Sequence, residues 1–128
     1  MPYYRDSFKD YERRKIDVHW TEEVWEEHLR KHPELIDREH TSILIREVIT
    51  EPDIVMEGKR DDEVTLCYYK QISWHQGFIK YIKVVIGCER THYYVKSIFQ
   101  REALIEFAIQ EKKYNQFKEI WRSQNSYL

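Results

Sequence analysis

Glycine, proline and cysteine are all scarce in this chain of 128 residues, which has three, three and two of them. So few glycines exclude a glycine-rich phosphate-binding loop, and no Gly-x-Ser-x-Gly motif marks a serine nucleophile. Cys67 and Cys88 lack the spacing of a metal-binding pair, and such isolated cysteines are typical of free thiols in a reducing cytosol. We therefore predict a cytoplasmic protein that uses no metal and no cofactor.

Long apolar runs are also missing. No window of about eighteen or more residues is apolar throughout, and the N-terminus has no apolar signal segment, so we expect neither a membrane span nor secretion. The composition suits a packed domain, because 41% of the residues are hydrophobic and 15% are aromatic. A chain of this length normally forms one domain. We predict a polar N-terminal arm or short helix over residues 1–15 and a single α+β domain over residues 16–128.

Charge is unevenly distributed, although the formal net charge is only −2. Residues 1–63 hold 11 basic and 18 acidic side chains, whereas residues 64–128 hold 10 and 5. Residues 64–100 hold five cations and one acid, and phosphate groups would prefer such a surface. An equally open alternative is that lysines on edge strands only protect against aggregation.

Secondary-structure signals follow the order α-α-β-β-β-β-α, after a lead-in over residues 16–20 that suits a short strand or extended segment. Thr21 is expected to cap a first helix that stops near Pro33, and Asp37 to cap a second helix over residues 38–51. Four β-rich runs follow, over residues 53–57, 64–72, 78–87 and 92–99. An amphipathic helical pattern over residues 101–121 ends the chain's signals. The predicted fold class is α+β, with two N-terminal helices, a four-stranded antiparallel sheet and a C-terminal helix.

His28 and His32 stand four residues apart, so both rings can lie on one face of the first helix. Zinc hydrolases use this spacing with a glutamate directly after the first histidine, but Leu29 occupies that place and no third ligand is evident. A simpler interpretation puts His28 in an apolar stripe and His32 at the helix C-terminus, where a cation is favourable. We predict no metal site.

Metal-free phosphodiester cleavage remains open, because it needs only a base, an acid and a cation that stabilises the phosphorane. A hairpin register that pairs Cys88 with His92 would put Lys83 opposite Ser97, and Tyr68 would lie beside Lys83 on the next strand. Residues that oppose each other in an antiparallel pair share a face. The alternative is that these residues are solvated strand positions without a partner.

Six segments taken together carry a family resemblance. They are Trp25-Glu-Glu-His28, His32-Pro33-Glu34, Val48-Ile49-Thr50-Glu51-Pro52-Asp53-Ile54, Tyr68-Tyr69-Lys70, Tyr81-Ile82-Lys83-Val84-Val85 and Tyr94-Val95-Lys96-Ser97-Ile98-Phe99. Their order resembles the small phage-associated nuclease-like domains grouped with barnase, EndoU, colicin and RelE toxins, the BECR fold. The resemblance covers about residues 16–107 and implies a metal-independent ribonuclease.

The resemblance implies a role for three residues. His28 falls on a helix-one histidine, Lys83 on a basic residue of the central strand, and Ser97 on a hydroxyl residue of the last strand that is usually threonine. We predict His28 as acid/base, Lys83 as phosphate stabiliser, and Ser97 and Tyr68 as orienting hydrogen-bond donors. The predicted substrate-binding residues are Tyr68, Lys70, Tyr81 and Lys96.

The expected partner is RNA, which the domain would cleave or only bind. A rival hypothesis is a non-catalytic protein-interaction module, either a toxin–antitoxin-type partner or a homodimer. It rests on ten tyrosines and four tryptophans, because aromatic residues are enriched at interfaces.

Overall fold

The computed structural model describes residues 3–60, 62–73, 79–101 and 117–124. In these residues seven strands form one mixed sheet: β1 (Tyr3–Lys9), β2 (Lys15–Thr21), β3 (Ile54–Arg60), β4 (Glu63–Ser73), β5 (Ile79–Glu89), β6 (His92–Arg101) and β7 (Lys118–Arg122). The spatial order is β1-β2-β6-β5-β4-β3-β7, and every neighbouring pair is antiparallel except β2–β6, which is parallel.

Two α-helices, α1 (Glu22–Lys31) and α2 (Arg38–Thr50), lie between β2 and β3, with a 3₁₀ helix (Pro33–Leu35) between them. Both predicted caps are confirmed: the Thr21 hydroxyl accepts from the backbone N–H of Val24, and the Asp37 carboxylate accepts from that of His40. These side chains satisfy donors that the first turn of a helix leaves unpaired. Neither helix is long and apolar enough to cross a bilayer.

Alternation along the strands sorts side chains onto two faces of the sheet. The face that the helices cover, which we call the near face, carries the main core, including Trp25, Ile45, Tyr68 and Val84. The opposite face, which we call the far face, carries a smaller buried cluster made of Ile54, Met56, Cys67, Tyr69, Val85 and Phe117. The far face is therefore mostly apolar where β3, β4 and β5 lie side by side.

The turn between β1 and β2 contacts the near-face core through the buried carboxylate of Asp10. The Asp10 side chain, which is 0% exposed, accepts from the Tyr68 hydroxyl at 2.5 Å and from Arg14 Nη1 at 2.9 Å. It also accepts from the backbone N–H groups of Glu12 and Arg14. Four donors around one buried carboxylate satisfy it in full, and they fasten the β1–β2 turn to β4 across the sheet.

The predicted four-stranded antiparallel sheet is wrong, because β1, β2 and β7 extend it to seven strands and β2 joins β6 in parallel. The residues expected to form an arm or short helix contain β1 instead. Among the described strands β1 pairs with β2 alone, and charged residues are usual on such an edge strand. Charge therefore concealed the strand.

The C-terminal helix predicted over residues 101–121 is wrong at its end, and residues 102–116 lie outside the described residues. Residues 118–122 form β7, which a register shift disrupts: Trp121 pairs with Val55 and Glu119 with Met56. Ile120 is the extra residue of this bulge, so it and Trp121 both approach the near-face core while Phe117 packs on the far face. Spacings of three and four residues, which usually indicate a helix, fit a bulged strand as well.

Candidate active site

The predicted register of the β5–β6 hairpin is wrong by two residues at its centre. Lys83 lies opposite Phe99, and Ser97 lies opposite Val85. The turn is shorter than expected, with Arg90 in a left-handed conformation (φ 58°), and a register shift follows Val85. A slip of two residues preserves the face of a side chain, so Lys83 and Ser97 remain on the far face as diagonal neighbours.

Tyr68 does not join Lys83, because the neighbour of Lys83 on β4 is Tyr69. A slip of one residue moves a side chain to the opposite face, and Tyr68 lies on the near face against Asp10. Lys70 also turns away, and its Nζ donates to the Glu51 carbonyl at 2.6 Å. Two of the four predicted substrate-binding residues therefore do not share a face with Lys83.

Lys83 is buried, with 3% of its surface exposed. Its Nζ lies 5.5 Å from the ring centroids of Tyr69 and Phe99, a distance suited to cation–π attraction. Tyr81 and Ser97 are half-buried on the same face. Lys83, Tyr81 and Ser97 therefore share the far face, and the ammonium group of Lys83 is enclosed there.

His28 lies at the edge of β6, with its Nε2 2.6 Å from the Ile98 carbonyl oxygen. A carbonyl only accepts hydrogen bonds, so Nε2 carries a proton and Nδ1 is the nitrogen left to act as a base. Burial lowers the pKa of His28, and His32, with its ring 4.7 Å away, lowers it further. Ring contacts continue from His32 to Phe99 at 5.9 Å, so rings lie between His28 and Lys83. The catalytic roles predicted for His28, Lys83 and Ser97 stay predictions.

The side chains of Trp20 and His28 bond to the backbone of β6 beyond the point where β2 pairs with it. Strand β2 pairs with β6 only at Tyr93 and Tyr94. Beyond that point Trp20 Nε1 donates to the Val95 carbonyl at 3.0 Å, as His28 does to that of Ile98. These two donors satisfy the Val95 and Ile98 carbonyls where β2 no longer pairs with β6, and a gap separates the two strands there.

A cavity of about 470 Å³ occupies the region of this gap. We call it the far-face pocket. Its lining residues are His19, Trp20, Glu89, His92, Tyr94, Val95 and Lys96. Most of the side chains that can exchange a proton or bind an anion come from two adjacent strands, β2 and β6, so the sheet itself holds them in place.

Two histidines face each other across the parallel strands of the pocket. The ring centroids of His19 and His92 are 5.8 Å apart, and both side chains reach solvent. Asp17 Oδ2 lies 2.8 Å from His92 Nε2. Because a carboxylate only accepts, Nε2 of His92 donates and its Nδ1 is left to take a proton. The pair therefore offers one carboxylate-oriented imidazole and one solvent-exposed imidazole to a common ligand.

Tyr94 and Lys96 form the third side of the pocket, and Glu63 of β4 binds both. Its Oε1 accepts from the Tyr94 hydroxyl, and its Oε2 lies 3.0 Å from Lys96 Nζ. Hydrogen bonds from Tyr94 and Lys96 lower the pKa of Glu63, and the bond to Glu63, together with burial, raises that of Tyr94 to about 12. Gly87 leaves the necessary room, because a Cβ there would lie 2.7 Å from Glu63 Oε1 and from Tyr94 Cζ.

This constellation can move protons and bind an anion without a metal. It combines a base, an acid and an ammonium group, which are the groups that phosphodiester cleavage needs. Among the described residues, no three histidine, cysteine or acidic side chains are placed to hold a metal ion.

Lys96 was identifiable from the sequence, whereas His19 and His92 were not. These histidines come together only through the parallel β2–β6 pair, and periodicity within one segment cannot predict such long-range pairing. The one available signal was polar alternation, Asp17 with His19 and His92 with Tyr94, which places each couple on one strand face.

Comparison with known proteins adds no relative. No protein-family model, no curated protein and no solved structure matches this chain. The resemblance to BECR nuclease-like domains therefore stays a hypothesis, and the chemistry of the pocket carries the functional argument.

Proposed function

We propose that this protein is a metal-independent ribonuclease, and that the far-face pocket is its active site. One observation carries the proposal: two solvent-accessible imidazoles lie 5.8 Å apart beside a lysine in one cavity, and a carboxylate orients one of them. RNA suits this site because its 2′-hydroxyl is an internal nucleophile. A positioned acid and base are sufficient to activate it.

In the proposed reaction His92 is the base and His19 the acid. Nδ1 of His92 takes the proton of the 2′-hydroxyl, while Asp17 holds the proton on Nε2 and stabilises the imidazolium that forms. The 2′-oxygen bonds to phosphorus, the bond from phosphorus to the 5′-oxygen breaks, and His19 gives its proton to that oxygen. Lys96 stabilises the additional negative charge on the phosphorane. The products are a 2′,3′-cyclic phosphate and a 5′-hydroxyl.

The first test is cleavage of a single-stranded RNA pool in EDTA by wild type, His19→Gln and His92→Gln. Each variant should lose about 10²–10⁴-fold in rate, the usual contribution of a positioned acid or base. A 2′-O-methyl RNA of the same sequence should not be cut. His40→Gln is the matched control, because His40 lies on α2 outside the pocket lining and should leave the rate unchanged.

His28→Gln separates this site from the one implied by the family resemblance. If His28→Gln abolishes cleavage while His19→Gln and His92→Gln do not, the far-face pocket is the wrong site although the class of reaction is right. Cleavage that requires added metal ions would contradict the mechanism itself. Circular dichroism of each variant checks that the fold is intact.

A non-catalytic protein-interaction module remains the second candidate, and two exposed isoleucines favour it. Ile36 is 66% exposed and Ile43 is 58% exposed, and such residues are more often buried. The aromatic excess is weaker support, because Trp20 and Trp25 lie in the core. Sedimentation at dimer mass, together with no RNA cleavage, would favour this candidate.

A further inference from the structure

Lys96, the lysine that lines the pocket, is already engaged by an acid of the same chain. Lys96 Nζ lies 3.0 Å from Glu63 Oε2, and 32% of the lysine side chain and 23% of the glutamate side chain are exposed. Asp17 and Glu89 place two further carboxylates at the pocket. A phosphate group can therefore bind Lys96 only in competition with the carboxylate of Glu63.

The position of Glu63 is fixed by three features of the sheet. It stands at the start of β4, its other oxygen accepts from the Tyr94 hydroxyl, and Gly87 below it has no side chain. A carboxylate held on two sides pays little entropy to bind the lysine, unlike a freely rotating surface pair. Glu63 is thus a preorganised occupant of the anion-binding position.

We propose that Glu63 controls substrate affinity by competing with the substrate phosphodiester for Lys96. This inference rests on the proposed function, since it takes the far-face pocket to be the site of RNA binding. The bound phosphodiester replaces Glu63 as the partner of Lys96, and the Tyr94 hydroxyl stays on Glu63. Glu63 therefore acts as an intramolecular competitor that weakens the binding of any anion at Lys96.

The test is binding of a fluorescent single-stranded DNA hexamer, which has phosphodiesters but no 2′-hydroxyl and cannot be cut by this mechanism. Glu63→Gln keeps an acceptor for Tyr94 and removes the charge that competes for Lys96. We expect it to bind the hexamer about five-fold more tightly than wild type at low salt, which corresponds to an ion pair near the upper end of the range for partly exposed pairs.

Glu89→Gln is the matched control, because Glu89 lines the same pocket and the substitution removes the same charge. Among the described residues it has no hydrogen bond or ion pair with Lys96, so its effect should stay below about two-fold. In a Lys96→Gln background the advantage of Glu63→Gln should shrink to that of Glu89→Gln.

Three results would overturn the inference: weaker binding by Glu63→Gln, equal gains for Glu63→Gln and Glu89→Gln, or no binding of the hexamer by any variant. A gain that is specific to Glu63 without cleavage of RNA by the wild type would contradict the ribonuclease proposal and leave the anion competition standing. The two proposals therefore fail separately.

Discussion

Tyr68 shows how one buried hydrogen bond decides the role of a residue. Its hydroxyl donates to Asp10 at 2.5 Å inside the near-face core, and burial and this bond raise the pKa of the phenol. The phenol therefore stays protonated and able to donate. This geometry assigns Tyr68 to stability and removes it from the surface where a substrate would bind.

We predict that Tyr68→Phe lowers the free energy of unfolding by about 1–3 kcal/mol, the usual cost of leaving a buried acceptor without its donor. Urea denaturation measures this loss. In an Asp10→Asn background the same substitution should cost less, because the two effects are coupled. Wild-type stability of Tyr68→Phe together with impaired RNA binding would reverse the assignment and restore the substrate-binding role.

The candidate site could be predicted only in part at this scale. Lys96 was identifiable because a lysine interrupts an apolar strand, and its position on β6 follows from local sequence. His19 and His92 could not be paired, since the register of the parallel contact between β2 and β6, which lie far apart in the sequence, depends on tertiary packing and not on periodicity within either segment. Residue type was visible in the sequence, and proximity was not.

Among the elements, β7 depends on a contact that a single methyl group would abolish. A Cβ at Gly58 would lie 1.6 Å from Phe117 Cδ1, so the Phe117 ring occupies the space that glycine leaves on β3. Phe117 is 6% exposed and closes the far-face cluster. It is also the residue that immediately precedes β7.

We predict that Gly58→Ala displaces Phe117 and costs about 1–3 kcal/mol, as overpacking usually does. Hydrogen exchange should accelerate at the amides of residues 118–122, while those of α2 stay protected. After Phe117→Ala, adding Gly58→Ala should cost little, because the clash is gone. Equal costs in both backgrounds would show that the ring does not rest on Gly58.

The elements themselves were predictable where local signals are strong. Thr21 and Asp37 fix both helix starts by capping, and β3 to β6 correspond to the four predicted β-rich runs. Strand β7 was not predictable, because Phe117, Ile120 and Trp121 have the sequence spacing of a helix and only the bulge makes this spacing compatible with a strand. A bulge depends on the partner strand, so sequence periodicity alone cannot detect it.

For the molecule as a whole, His28 joins α1 to the sheet, because its ring bonds to the backbone of β6. The His28 ring is half-buried between Trp20 at 4.8 Å and His32 at 4.7 Å and bonds to the Ile98 carbonyl. Burial has the largest effect and lowers its pKa; the bond to the Ile98 carbonyl opposes this shift, and the neighbouring His32 imidazole adds to it. Protonation of His28 therefore opposes folding.

The sign of the pH dependence follows from this shift. An unfolded chain restores the ordinary histidine pKa of about 6.5, so the unfolded state binds more protons than the folded state once the pH falls below that value. The contribution of His28 to stability is complete above about pH 6.5 and is lost as the pH falls through the lower folded pKa.

We predict that His28→Gln, which can still donate to the Ile98 carbonyl, makes the free energy of unfolding less sensitive to pH between about 7.5 and 5. Urea denaturation at several pH values measures this, with His19→Gln as a solvent-exposed control that should follow the wild type. Parallel curves for wild type and His28→Gln would contradict the prediction, because they would mean that the junction between α1 and β6 tolerates a charged imidazole.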